Sequence, residues 1–296
     1  MLSFVANPFP ENIMDRFDDF KRRLELEILG HPVVQANPYT SWFKRGDADE
    51  AQVKDLIEQF SVFSNHFLVV QAKRLVNAGT EEGERCARAI LVNECGVGLE
   101  PRTGEAEGRT FSNRNAHLEW LRETGRALGL DPRRLGRWDL GRAETHEFLD
   151  GLDRTYGSRD GLVGAGASFA IESWAAFGIA QGPEREDKNF WKELIAGLEL
   201  FDARVRRPKG LSPLPLGFFK FHFVTEAGHG AAVWEELKKS FDDPDFDGDV
   251  FLDAGREALD AIHLFWTGLD RERRRLDAPL PPARADVDLD LAQLGF

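Results

Sequence analysis

The chain has 296 residues, enough to bury one substantial hydrophobic core. Lys and Arg number 38 against 51 Asp and Glu, a net charge of −13, which argues against nucleic acid and anionic membrane as partners because both need excess positive charge. No apolar run is long enough to span a bilayer and the amino terminus has no basic-then-apolar leader pattern, so a soluble cytoplasmic protein is expected.

Apolar spacing is helical almost throughout, and alternating strand patterns are absent. Helices are expected at 11–29, 50–77, 80–96, 114–129, 142–156, 161–181, 186–206, 212–240 and 247–276. Breakers separate them: His31-Pro32, Asn37-Pro38, the Gly-rich stretch 96–108, Asp131-Pro132, Gly182-Pro183, Pro208 and Asp243-Pro244. Cys86 and Cys95 fall on opposite sides of the third helix, so no disulfide joins them within it. No linker divides the chain and no repeat is visible. The expectation is a single all-α domain over 1–296, with 277–296 an irregular tail after the last helix. The basic run Arg271 to Arg275 reads as a solvated helix end.

Six polar residues interrupt faces that should be hydrophobic. His222, Glu226 and His229 stand at i, i+4 and i+7, so they share one side of their helix, with Phe218 and Phe219 before them and Ala232 and Val233 after. Glu94 follows Ala87, Ile90 and Leu91; His117 shares its face with Trp120, Leu121 and Leu128; Glu172 shares its face with Phe169, Ala176 and Ile179. Taken singly, each could be an edge carboxylate paired with an Arg, or a satisfied core histidine. Burying all six costs several kcal/mol unless something compensates their desolvation, and a metal ion would do so. Three carboxylates with three imidazoles suit two iron or manganese ions better than one zinc, and helical bundles build di-iron centres from such residues.

Laid out in order, Glu94, His117, Glu172, His222, Glu226 and His229 resemble the signature of the haem-oxygenase-like di-iron oxidases and oxygenases: a Glu then a His, a mid-chain Glu, and a final His-x3-Asp/Glu-x2-His. Flanking text agrees at Asn93-Glu94-Cys95-Gly96 and Ala116-His117-Leu118, and the resemblance covers roughly residues 50–270. This chain departs from the pattern between Glu94 and His117, which the family keeps within one short stretch. The extra residues read as an inserted loop that carries Glu100 as a second candidate ligand; Pro101 and the lack of apolar periodicity around Glu100 favour Glu94.

The resemblance implies a haem-oxygenase-like bundle of about seven core helices plus extra ones. It also implies two Fe(II) ions held by those six residues, O2 as co-substrate and an external electron donor. The implied reaction is N-oxygenation, oxidative C–C cleavage or desaturation of an amino acid or fatty acid derivative in specialised metabolism, and a homodimer is compatible with it. His66 is a candidate for the substrate pocket or for orienting a ligand, with a plain core histidine as the alternative. Phe169, Trp174, Phe218 and Phe219 are candidate pocket walls, although most aromatics at helical spacing are simply core.

Three other readings compete. A ferritin-like ferroxidase needs a second Glu-x-x-His, for which Asp260-Ala261-Ile262-His263 is a near match to Glu226-Ala227-Gly228-His229. A metal-free enzyme of the same shape would resemble thiamin-degrading hydrolases, which need a catalytic thiol with Cys95 as the candidate, or cofactorless quinone-forming oxidases. A helical binding protein would hold the six residues as a hydrogen-bonded network.

Overall fold

Pro32, Pro38 and Pro183, expected only to break helices, each open a short one. At a first helical position the missing N–H is no loss and the fixed φ suits the turn. The structure, a computed structural model, describes residues 13–97 and 113–277. Its α-helices are α1 (Ile13–Glu27), α2 (Pro32–Gln35), α3 (Pro38–Phe43), α4 (Glu50–Val76), α5 (Glu81–Glu94), α6 (His117–Ala127), α7 (Ala143–Arg154), α8 (Gly161–Ala176), α9 (Pro183–Glu186), α10 (Phe190–Phe201), α11 (Gly217–Ser240) and α12 (Gly248–Asp277). No strand occurs among the described residues, and no described helix is long and apolar enough to cross a membrane.

The long helices start where capping chemistry allows. Asp49 and Gln52 form a reciprocal capping box on α4, Thr80 caps α5, and Asp160 caps α8. Several boundaries fall inside the expected spans. The helix foreseen over 161–181 stops at Ala176, where Phe177 leaves helical geometry and Gly178 turns left-handed at φ 86°. The one foreseen from 212 starts at Gly217, because Pro213 and Pro215 hold the preceding residues extended. The one foreseen over 186–206 ends at Phe201 and gives way to a π turn over Asp202–Arg206. There the Asp202 carboxylate accepts from the Arg206 and Arg207 guanidiniums and from the Leu214 amide, bending the chain back toward α11.

The buried apolar side chains form one continuous cluster. Within it α12 lies along α8 and α7, α8 packs on α11, α4 packs on α5 and α6, and α11 also meets α5, α6 and α10. The α8–α12 approach requires glycine: a Cβ at Gly166 would clash with the Phe251 carbonyl oxygen. Asn189 ties α10 to the end of α8: its side-chain oxygen caps the Trp191 and Lys192 amides, and its side-chain nitrogen donates to the carbonyls of Ala175 and Phe177. That bracket fixes Trp191 against α11. Arg271, Arg274 and Arg275 are solvated and ion-paired as the sequence suggests, while Arg273 lies over the Trp42 ring. Of the irregular tail expected over 277–296, Asp277 still ends α12, and residues 278–296 lie outside the described residues.

Candidate metal centre

Four helices bring the six polar residues into the core. Glu94 is the last residue of α5 and His117 the first of α6; Glu172 sits mid-way along α8, and α11 carries the remaining three. The side chains gather in two groups whose ligand atoms lie within 4.8 Å of one another: Glu94, His117 and His222, and Glu172, Glu226 and His229. Five of them line one small cavity of about 40 Å3, completed by aromatic rings that include Phe60, Phe63, Trp174, Trp191 and Phe218. His117 stands behind Glu94, its ring 4.7 Å from that of His222. A cavity of this size holds a few water-sized bodies, which is the scale of ions and O2.

In the first group, Glu94 Oε2 lies 2.9 Å from His117 Nδ1 and Oε1 lies 3.8 Å from His222 Nε2. Burial alone would raise the Glu94 pKa, but His117 and His222 outweigh it and hold the carboxyl well below the usual carboxylate range. His222 Nδ1 lies 2.7 Å from the Phe218 carbonyl one turn back, so Nδ1 carries a proton and Nε2 is the nitrogen turned toward Glu94; burial would lower the His222 pKa, but the Glu94 carboxylate outweighs it and raises it. Of the six, only His117 carries buried ring nitrogens without a hydrogen-bond partner, a state it shares with several buried indole, guanidinium and hydroxyl groups elsewhere. It is fully buried, Glu94 Oε2 is out of line for N–H donation, and both ring nitrogens lack a hydrogen-bond partner. Burial lowers its pKa, favouring neutral imidazole.

In the second group, His229 Nδ1 is 3.2 Å from Glu226 Oε2 and 3.5 Å from Glu172 Oε2. The other oxygen of Glu172 accepts from the Tyr156 hydroxyl at 3.1 Å, and Ser168 Oγ stands 3.4 Å behind that hydroxyl. Burial and the Glu172 charge push the Tyr156 pKa far up, so the phenol remains a donor. Burial likewise raises the Glu172 pKa.

The expected neighbours divide. Phe218 and Trp174 line the cavity. Phe219 and Phe169 do not; both are wholly buried, and Phe169 packs edge-on to Trp234. His66, expected at the pocket or behind a ligand, points instead to Asp153 with Nε2 3.2 Å from Oδ2. Helix rotation explains this: Ser64 and Phe67 face the cavity, and at about 100° per residue His66 is turned roughly 160° from Ser64 and roughly 100° from Phe67, off the cavity face. Glu100 lies outside the described residues.

The rival sites are placed as plainly. Asp260 and His263 are exposed on α12, Asp260 pairing with His31. Cys95 is half-buried beside Glu94, outside the cavity lining, and burial raises its thiol pKa. The sequence reasoning missed Tyr156 and Trp191. Tyr156 follows just past the end of α7, buried in the turn after it, and is one of only two tyrosines in the chain. That rarity was the available signal.

No protein-family model and no curated relative matches the chain. Among solved structures, it is similar to a domain of unknown function with a haem oxygenase-like fold from Shewanella denitrificans OS217. The identity is 13% and the TM-score 0.54, covering 93% of this chain and 99% of that one. With its all-helical architecture, the chain has a haem-oxygenase-like fold.

Proposed function

We propose that the protein is an O2-dependent di-iron oxidase or oxygenase acting on a small organic molecule. One observation carries the reading: His117, wholly buried, leaves both ring nitrogens unpartnered beside Glu94, in one of two adjoining donor triplets. Such a group costs free energy in an apoprotein, and a cation accepting the lone pair of its unprotonated nitrogen removes part of that cost. The donor chemistry fits two ions of the iron or manganese type: mixed imidazole and carboxylate, with no thiolate in either triplet.

When bound, such ions supply the one-electron steps that O2 reduction needs and that no side chain offers. The rest falls to the chain. Glu94, His117 and His222 would hold one ion; Glu172, Glu226 and His229 would hold the other, and three carboxylates offset most of the charge. The Phe218 carbonyl fixes the His222 tautomer, and Tyr156 fixes Glu172 by engaging the oxygen turned away from His229. Rings of Phe60, Phe63, Trp174 and Trp191 exclude water. No Lys or Arg lines the cavity, so a substrate would meet apolar walls there. Half-buried Phe67, on the cavity wall, is the ring best placed to yield space.

The test is anaerobic reconstitution with Fe(II), then mixing with O2 in the presence of amino acids and fatty acids in turn. Two irons per chain, with one compound consumed in step with O2, is the expected result. Absence of stoichiometric iron binding would overturn the reading. The small cavity favours a second reading, oxidation of Fe(II) alone. O2 uptake tied to added Fe(II) and indifferent to every organic compound would select it.

A further inference from the structure

Seven aromatic side chains form an unbroken series from His222 of the candidate metal centre to Trp42 on α3. Trp191 stacks on His222 with centroids 4.7 Å apart and planes at 21°. Phe190 lies 4.4 Å from Trp191 and 4.3 Å from Trp174. Trp266 follows, 5.8 Å from Phe190 and 6.4 Å from Trp174; then Tyr39 at 5.7 Å and Trp42 at 5.5 Å. The outer end lies near the surface, where Trp42 is 8% exposed. A pocket of about 140 Å3 is lined by Asn37, Tyr39, His263, Trp266, Thr267 and Asp270, and the Arg273 guanidinium sits 4.4 Å over the Trp42 ring.

A second observation sets this series apart from ordinary core. The polar atoms of Tyr39, Trp174, Trp191 and Trp266 are all buried without a hydrogen-bond partner. Buried indole and phenol groups normally find one. With no acceptor nearby, an oxidised indole keeps its proton and remains a cation radical, a high-energy species that only a strong oxidant produces. A weak reductant could not push electrons through such a series to a resting metal centre. An oxidant at the centre could draw electrons along it.

We infer that this series is an electron path, which discharges the iron pair when O2 has reacted and no organic substrate is in place. This rests on the di-iron reading above. In each transfer Trp191 gives one electron to the oxidised centre and is refilled by Trp174 or Trp266, the vacancy moving outward to Trp266 and Trp42. A thiol reductant at the outer pocket fills it. Two transfers oxidise two thiols to one disulfide; with the two electrons given by the iron pair they complete the four-electron reduction of O2, whose oxygens leave as two waters carrying the two thiol protons and two from solvent, and no bond in the protein changes. Trp120 stacks on His117 in the same manner, 5.3 Å away, but it leads to Phe221 and to no further Trp or Tyr among the described contacts.

The experiment loads the full chain with Fe(II), confirms the iron content, and exposes it to O2 with neither substrate nor thiol. Freeze-quenched samples are read by electron paramagnetic resonance for a tryptophan radical, and digested samples by peptide mass spectrometry for oxidised tryptophan. The wild type should show the radical and oxidation at Trp266 and Trp42, both suppressed by added thiol. Trp191→Phe should still bind two irons but lose oxidation at Trp266 and Trp42, with damage confined to residues around the centre. Trp234→Phe, a half-buried tryptophan off the path, should leave the wild-type pattern intact. Oxidation of Trp266 and Trp42 that persists in Trp191→Phe would overturn the path, as would a wild type that binds two irons and oxidises neither residue. Failure to bind iron at all would remove the di-iron reading and the path together. Should Trp191→Phe not fold, Trp266→Phe interrupts the same series farther from the centre and must abolish oxidation at Trp42 while sparing the iron content.

Discussion

His117 Nδ1 lies 2.9 Å from Glu94 Oε2 across the gap between α5 and α6, yet neither ring nitrogen of His117 is hydrogen-bonded. The pair is close enough to share a cation and misaligned for sharing a proton. Removing His117 should therefore cost metal rather than fold. In His117→Ala, anaerobic reconstitution is expected to yield one iron per chain instead of two, with helicity by circular dichroism unchanged. Iron should also stabilise the wild type by about 2.7 kcal/mol at a hundredfold excess over Kd, read as a rise in Tm that chelator reverses. A variant that retains both irons would remove His117 from the ligand set.

Tyr156 acts on the second group through Glu172. Its hydroxyl donates to Oε1, while Oε2 faces His229. Without that hydroxyl the carboxylate is free to rotate, so Tyr156→Phe is expected to weaken iron binding by roughly 10–100-fold with the fold retained. Anaerobic titration with Fe(II) measures this. An unchanged affinity would mean that packing alone holds Glu172.

Away from the metal centre, Arg74 and Glu236 form an ion pair that is 2% and 6% exposed, joining α4 to α11. Two guanidinium nitrogens, Nε and Nη1, have no other partner, so the pair is poorly compensated for its desolvation. Glu236→Ala should lose about 3–5 kcal/mol in urea unfolding, because it strands a buried cation. Replacing both partners, as Arg74→Met with Glu236→Leu, should recover most of that loss. A single variant that costs under about 1 kcal/mol would show that water reaches Arg74.

How much of this was legible beforehand depended on whether the signal was local. The stripe of His222, Glu226 and His229 is a property of one helix, and periodicity exposes it. Glu94, His117 and Glu172 stood out for the same reason, as polar residues on apolar faces. The helix count failed where the elements were a single turn long, at Pro32, Pro38 and Pro183, because one turn leaves no period to read. His66 was misplaced by a rotation of one residue on α4. Tyr156 and Trp191 escaped because their roles depend on contacts between helices: Tyr156 is buried as any core residue would be, and only the fold sets its hydroxyl on Glu172. Trp191 owes its position to the Asn189 bracket between α8 and α10, which no spacing along the chain encodes.

The two cysteines should separate by reactivity and by pH. Burial, aided by the Glu236 charge, pushes the Cys86 thiol up to about 12, while Cys95 is less buried. At pH 8 a maleimide or disulfide reagent should label Cys95 first and reach Cys86 only on unfolding. The sign of the pH effect follows from the thiol's raised folded-state value. The unfolded chain ionises near the ordinary value of about 8.5 and the folded one near 12. Below that window both states hold the proton and Cys86 contributes its full stability; as pH rises through it the unfolded state loses the proton first, and stability falls. Urea unfolding from pH 8 to 11 should therefore decline more steeply in the wild type than in Cys86→Ala. Equal slopes would show that the folded protein releases the Cys86 proton as readily as the unfolded chain does.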